Sequence, residues 1–281
     1  MREPADIAAR SGLLTRRIAE RLKHHPVLTT LDVATGTGAN LRYLAEYLPA
    51  SQDWLLVDSD PRLLAALPAR MHPWAATRGI EITNLTDGLH LRGPRLSCRV
   101  RTQCLDLSSS LEDRGTTLFA GRAFVTASAL LDLVSEPWLQ RLAERCRKVE
   151  ATALFALTYD GRIQCSPDEP EDGRVRSLVN THQRTNKGFG AALGPDASSA
   201  AERAFAAVGY HIERQASDWV LDPETRDLQR PLLEGWADAA SAVAPAQAAS
   251  IRAWRERRLA HVNAGRSQLI VGHEDMAAWL P

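Results

Sequence analysis

An excess of charge of either sign, paired cysteines and long apolar runs are all missing from this 281-residue sequence. Its 34 basic residues balance its 34 acidic ones, so nothing in the charge points to nucleic acid or an anionic membrane as partner. No stretch approaches the ~18 uninterrupted apolar residues of a membrane span. No apolar run follows Met1-Arg2-Glu3-Pro4, so the start does not read as a secretory signal. Cys98, Cys104, Cys146 and Cys165 are scattered, with no Cys-x-x-Cys spacing and no histidine pattern beside them. They read as reduced packing thiols of a cytoplasmic protein, and no metal site is expected. Repeats and low-complexity tails are also lacking. What is present is 44% hydrophobic residues, enough for one sizeable core.

The stretch that organises the chain is residues 28–40. An apolar run, Leu28 to Val33, ends in a turn carrying Gly36 and Gly38, and Leu41, Leu44, Ala45 and Leu48 then recur at helical spacing. Strand, glycine turn and helix together make a place where a ligand can approach the backbone closely and meet free helix N–H groups. The dinucleotide fingerprint Gly-x-Gly-x-x-Gly is not met, because Leu41 stands at its third glycine. The same turn without any ligand is the plain structural alternative.

Residues 31–40, Leu-Asp-Val-Ala-Thr-Gly-Thr-Gly-Ala-Asn, resemble the first motif of the class I S-adenosylmethionine-dependent methyltransferases, on Asp32, Gly36, Thr37 and Gly38. They depart from it at Ala34, where that family often has glycine. The resemblance extends by motif over about residues 28–158 and by element order beyond. It implies S-adenosylmethionine as cofactor, held by Asp32, Ala34, Thr35, Gly36, Gly38 and Asn40. A short strand at 54–57 delivers Asp58, 20 residues after Gly38, and Ser59. The resemblance implies that Asp58 takes the ribose hydroxyls, a role to which a carboxylate at that distance is suited. The alternating run 96–107 ends in Asp106-Leu107, for which it implies contact with the adenine amino group and ring. Asp106 before Ser108-Ser109-Ser110 is equally suited to cap a helix. The strand at 123–128 brings Thr126, Ala127 and Ser128 to the cleft, with Asp132 in the loop behind them as a substrate contact.

The N-terminal segment 5–23 reads as a single amphipathic helix, with Ile7, Leu14, Ile18 and Leu22 on one face. It either covers the sheet or also brings Arg10 to a ligand carboxylate. Pro68, Pro73 and Gly79 predict short helical pieces and loop over 68–95. The strand at 151–158 delivers Tyr159 and Asp160. Residues 160–195 carry glycines and prolines without sustained periodicity and read as a substrate lid loop. In it, Arg162, His182, Gln183 and Phe189 are substrate contacts, and His182 is the leading general base, with Asp160 and Tyr159 as alternatives. His182 is open to the plainer reading of hydrogen bonds within the loop.

A helix at 196–208 and a strand at 210–221 follow. A helical pair within 222–265 then reads as a cap or a homodimer surface, and Arg252, Arg255, Arg257 and Arg258 on it as a solvated face. A last strand spans 267–272. The expected fold is a single α/β domain over 1–281: a three-layer α/β/α sandwich with a mostly parallel seven-stranded sheet and a helical insert before the last strand. The implied activity is methyl transfer to a small-molecule acceptor. A non-catalytic S-adenosylmethionine binder and a nucleotide-dependent oxidoreductase are the other readings, the latter opposed by Leu41.

Overall fold

The glycine-turn strand Leu28–Val33 (β1) is buried on both faces because it lies in the middle of the sheet. The computed structural model describes residues 2–108 and 115–281; Ser109 and Ser110, in the serine run after Asp106, lie outside them. On one side β1 pairs in parallel with Ser51–Asp58 (β2), and β2 with Leu96–Cys104 (β5). On the other side β1 pairs in parallel with Phe124–Ser128 (β6), and β6 with Thr152–Ser166 (β7). The chain thus reverses direction across the sheet between β1 and β6, which opens a crevice at the carboxyl ends of these strands.

The sheet goes further than the expected seven mostly parallel strands. Glu81–Leu85 (β3) and Gly88–Gly93 (β4) add an antiparallel hairpin outside β5. At the far edge His211–Ala216 (β8), Trp219–Leu221 (β9) and Gln268–Trp279 (β10) are antiparallel, with β10 lying between β7 and β8. The result is a mixed ten-stranded sheet in the order β3-β4-β5-β2-β1-β6-β7-β10-β8, with β9 also on β10. This hairpin stands where short helical pieces and loop are expected over 68–95, and Asp87-Gly88 makes its turn. A Cβ on Gly88 would come 1.9 Å from the Val100 carbonyl oxygen, so only glycine fits there.

Helices cover both faces. Gly12–Leu22 (α2), Ala39–Leu44 (α3) and Pro61–Ala76 (α4) bury Leu14, Ile18, Leu41, Leu67 and Met71 around Trp54 on one face. Gly115–Phe119 (α5), Glu136–Lys148 (α6) and Ala197–Ala207 (α8) bury Phe119, Leu139, Leu142 and Phe205 on the other. Contrary to the sequence expectation, α4 runs through Pro68 and Pro73. Each proline removes one backbone hydrogen bond, but Leu67, Met71 and Ala75 are buried on one stripe, and that packing holds the helix together.

Two further expectations are corrected. The N-terminal helix is broken. Glu3–Ala9 (α1) ends at Arg10, whose ψ is 138°, and α2 restarts with Ser11 accepting a hydrogen bond from the Leu14 N–H at 3.2 Å. Residues 160–195 are not a loop. β7 continues to Ser166, and Asp172–Gln183 (α7) forms a helix that buries Val175, Leu178 and Val179. The glycines and prolines that mask this pattern sit mostly at its ends. The long strand expected at 210–221 divides into β8 and β9 at Ser217-Asp218, where Ser217 N–H donates to the His273 carbonyl at 2.8 Å.

The helical insert Arg226–Val243 (α9) and Ala248–Asn263 (α10) packs with α7 on the part of β7 and β10 that projects beyond the parallel strands, forming a third core around Trp236, Ile251 and Trp254. The apolar face of the insert is therefore used within the chain. The solvated arginine face expected from sequence is corrected in part. Arg258 is fully buried and pairs with Asp172, which also accepts from Trp254 Nε1 at 2.7 Å, and Arg257 pairs with Glu169 and Glu171. Among the described residues no helix is long and apolar enough to cross a membrane.

Candidate functional site

Each of the three strands that flank the crevice carries a left-handed residue that is not glycine, just past its end in β1 and β6 and within the strand in β7. Ala34 after β1 has φ 55°, Ala129 after β6 has φ 53°, and Leu157 in β7 has φ 55°. Each is a strained conformation for a residue with a Cβ, and such strain collects where a site dictates the backbone. Leu157 is held there by its N–H, which donates to the buried Asp275 carboxylate at 2.9 Å.

At the crevice mouth Asp32 is fully buried. It accepts from Thr35 Oγ1 and, at 2.8 Å, from Asn40 Nδ2. Burial pushes its pKa up to about 6, against the pull of those two donors. Asn40 Nδ2 also donates to Thr126 Oγ1 at 3.0 Å, and Thr126 donates to the Leu154 carbonyl at 2.7 Å, tying β1, β6 and β7 together. Asn40 Oδ1 accepts from Arg10 Nη1 at 2.9 Å. Arg10 is 8% exposed and makes a buried ion pair with Asp275, whose carboxylate is 3.5 Å from Nε, yet its Nε and Nη2 have no hydrogen-bond partner. Asp275 balances the charge, but two buried guanidinium donors without hydrogen bonds are costly unless a ligand acceptor completes them.

The glycine turn lies beside this group. Gly36 has φ 58° and nothing within 4 Å of where a Cβ would stand, so both its conformation and the open space in front of it are available to a ligand. Gly38, φ 78°, packs instead against Leu67. Helix α3 has only six residues, so the helix N-terminus expected to bind the ligand contributes little; the turn itself matters more. Asp58 ends β2 with one carboxylate oxygen accepting from Gly36 N–H at 2.7 Å and the other from Asp60 N–H at 3.0 Å. Ser59 follows it at the rim. Asp106 is exposed and accepts from the Ser108 N–H at 2.8 Å, and the Ser108 hydroxyl first, then that N–H, hold its pKa below the usual carboxylate value. Leu107 is buried beneath, its carbonyl accepting from Trp138 Nε1 at 2.7 Å. Ala127 is buried in the core, and Ser128 faces the crevice.

Helix α1 lies over the far end of this crevice. Arg42 fastens it, donating to Glu3 at 2.7 and 2.9 Å and to the Thr37 carbonyl of the glycine turn at 2.7 Å. A narrow cavity of 20 Å³ remains between Asp6, Ile7, Arg10, Asn40, Ser128 and Leu157. Beyond it Asp132, on the turn Leu131–Leu133, is 7% exposed. Burial raises its pKa to about 6, against the pull of the nearby backbone N–H groups of Asp132 and Tyr159.

The remaining sequence candidates are placed differently. Tyr159 donates its hydroxyl to Asn180 Oδ1 at 2.7 Å. Asp160 is held by Arg162, which also pairs with Asp218. His182 and Gln183 are on the last turn of α7. His182 Nδ1 lies 3.3 Å from Lys187 Nζ, and burial followed by that ammonium lowers its pKa. Phe189 stacks edge-on against Trp138 at 5.4 Å, at the rim of the core. None of the described hydrogen bonds or ring contacts joins His182, Gln183 or Phe189 to Arg10, Asp58 or Asp132. Sequence reading missed His273 and Trp219, which come from strands far along the chain and have no motif around them. Among the described residues no group of histidine, cysteine and carboxylate side chains is arranged to hold a metal.

No family model and no curated protein matches the chain. Among solved structures it is similar to the cyclopropane synthase MmaA2 from Mycobacterium tuberculosis, at 11% identity over 94% of this chain and 82% of that one, with a TM-score of 0.47. It is similar to a precorrin-6y C5,15-methyltransferase from Geobacter metallireducens at 8% identity, 95% and 86% coverage and a TM-score of 0.44. A third is phosphoethanolamine N-methyltransferase 2 from Haemonchus contortus in complex with S-adenosyl-L-methionine, at 12% identity, 96% and 53% coverage and a TM-score of 0.41. Likenesses this distant leave the functional argument to the residues of the crevice.

Proposed function

We propose that the chain is a class I S-adenosylmethionine-dependent methyltransferase acting on a small-molecule acceptor. The observation that carries this reading is Arg10: a buried guanidinium with two unused donors, beside a glycine turn whose first glycine faces open space. A ligand carboxylate completes it with two charge-assisted hydrogen bonds. Asp58 takes ribose hydroxyls, Asp106 the adenine amine, and Leu107 and Ala127 the apolar ring surface nearby. Asp32 acts through Asn40 and Thr35, setting the turn. When bound, the cofactor supplies a methyl group on a positively charged sulfur. The protein's work is then to hold the acceptor in line and exclude water, which α1 is placed to do.

Of the groups expected to move a proton, Tyr159 and Asp160 are engaged with Asn180 and Arg162, and His182 lies beside the Lys187 ammonium. Asp132, with a pKa raised to about 6, is the group that can accept a proton near neutral pH at the strand ends.

The test is calorimetric titration of wild type and Asp58→Ala with S-adenosylhomocysteine, S-adenosylmethionine and NADH. Binding of the two adenosyl ligands but not NADH, weakened by the substitution, is expected. A folded protein that binds neither adenosyl ligand refutes the proposal. Binding without turnover of any acceptor would favour the non-catalytic reading.

A further inference from the structure

Behind α1 stands a group of side chains that cofactor binding leaves unused. Asp6 on α1 accepts from Trp219 Nε1 at 3.1 Å. The Trp219 ring lies 5.2 Å from that of His273, and the His273 ring 6.2 Å from that of Tyr159. The Tyr159 N–H in turn pulls electrostatically on the Asp132 carboxylate. His273 is 8% exposed, and its Nδ1 is buried with no hydrogen-bond partner. Its ring lies between two aromatic rings, and its Nδ1 has the Val271 backbone near it but no fully formed hydrogen bond. Two carboxylates, an aromatic face and an imidazole are linked in this way from α1 across β9 and β10 to the turn at Asp132.

A cation of the chain already lies there. The Arg2 guanidinium sits 5.7 Å over the Trp219 ring. It is exposed, and it pulls electrostatically on both Asp6 and Asp132. No hydrogen bond or ion pair fixes its side chain among the described residues. A loosely held cation over an aromatic face and between two carboxylates shows what chemistry the region favours.

We propose that this group is the acceptor subsite of the methyltransferase read above, that it takes a primary or secondary amine in its ammonium form, and that Arg2 stands in the amine's place until the amine displaces it. The aromatic face of Trp219 and the carboxylates of Asp6 and Asp132 attract the ammonium. The same carboxylates repel acceptors bearing a carboxylate or phosphate beside the reacting atom. The unused His273 nitrogen gives the acceptor a hydrogen-bond partner. Asp132 takes one proton from the ammonium: an N–H bond breaks, a carboxyl O–H forms, and the nitrogen lone pair is freed.

The inference rests on the proposed function, and the experiment separates the two. Wild type, Arg2→Ala and Asp132→Asn are titrated with S-adenosylhomocysteine. Each loaded protein is then titrated with phenethylamine, 2-phenylethanol and phenylacetate, which share one skeleton. Expected is equal S-adenosylhomocysteine binding by all three proteins. Phenethylamine should bind Arg2→Ala about fivefold more tightly than wild type and be lost in Asp132→Asn, with the alcohol and the acid binding none of them. Equal binding of alcohol or acid, no gain on Arg2→Ala, or absence of amine binding to a loaded protein overturns the amine subsite alone. Loss of S-adenosylhomocysteine from Asp132→Asn also overturns it, because Asp132 then serves the cofactor's own ammonium. Failure of wild type to bind S-adenosylhomocysteine overturns the methyltransferase reading itself.

Discussion

Replacing His273 with phenylalanine should make the protein more resistant to acid. The imidazole is 8% exposed, and burial lowers its pKa to about 4 in spite of the carboxylates of Asp160, Asp218 and Asp275, which favour its charged form. Tyr159 and Trp219 face its ring. Unfolded, the same imidazole titrates near 6.5. Between these values the unfolded chain binds a proton that the folded chain does not. The stability His273 contributes is therefore present above about pH 6.5 and is lost as the pH falls toward 4. A depression of roughly two and a half units corresponds to about 3 kcal/mol across that window. Asp32 and Asp132, both raised to about 6, act in the opposite sense: each is more stabilising protonated, so folding gains from them as the pH falls through 6. Their contribution is common to wild type and variant and cancels in the difference. Phenylalanine fills the ring's place between Tyr159 and Trp219 and removes an unsatisfied nitrogen. The assay is urea unfolding of both proteins at steps from pH 7 to 4. The variant should gain about 3 kcal/mol on wild type between pH 6.5 and 4. A difference that changes by less than about 1 kcal/mol over that range would refute a buried, neutral His273 and remove the imidazole from the amine subsite.

Arg10→Met should weaken S-adenosylhomocysteine at least about tenfold, as loss of charge-assisted hydrogen bonds implies. It should leave 5′-methylthioadenosine, which has no carboxylate, nearly unchanged; calorimetry showing equal losses for both would remove Arg10 from carboxylate binding. Asp172→Ala should lower stability by about 3–5 kcal/mol in urea unfolding, since it leaves the fully buried Arg258 without its counterion. Arg258→Met should cost much less, and the reverse order would contradict the burial. Gly36→Ala, at φ 58°, should cost about 1–2 kcal/mol. Ala34→Gly, at φ 55°, should be neutral to stabilising by about 1 kcal/mol, the relieved strain being offset by backbone entropy. Equal and opposite effects of the wrong sign in thermal unfolding would show that the turn is not left-handed at these positions.

The local elements were readable where periodicity was strong and uninterrupted. The core face of α6, with Leu139, Leu142, Ala143 and Cys146, follows directly from spacing. The loop conformation expected at 160–195 is not found, because glycines and prolines mostly at its ends hide a twelve-residue helix that tertiary packing supports. Helix α4 was cut short on paper for a similar reason: two prolines outweigh three buried side chains in local propensity but not in a packed protein.

The sequence by itself determined the strand, turn and helix around Asp32, Gly36 and Gly38, the placing of Asp58 at a strand end, and the helical insert before the last strand. These are written in short stretches, where side-chain period and backbone conformation are local properties. Only the tertiary structure decided that Arg10 reaches Asn40 across 30 residues with two donors unused, that Arg258 is buried against Asp172, and that Asp6, Asp132, Trp219 and His273 meet behind α1. Those groupings depend on which strands lie side by side and on what a helix over their ends shuts away from water. Burial then sets which charges need a partner, and no local pattern of residues records that.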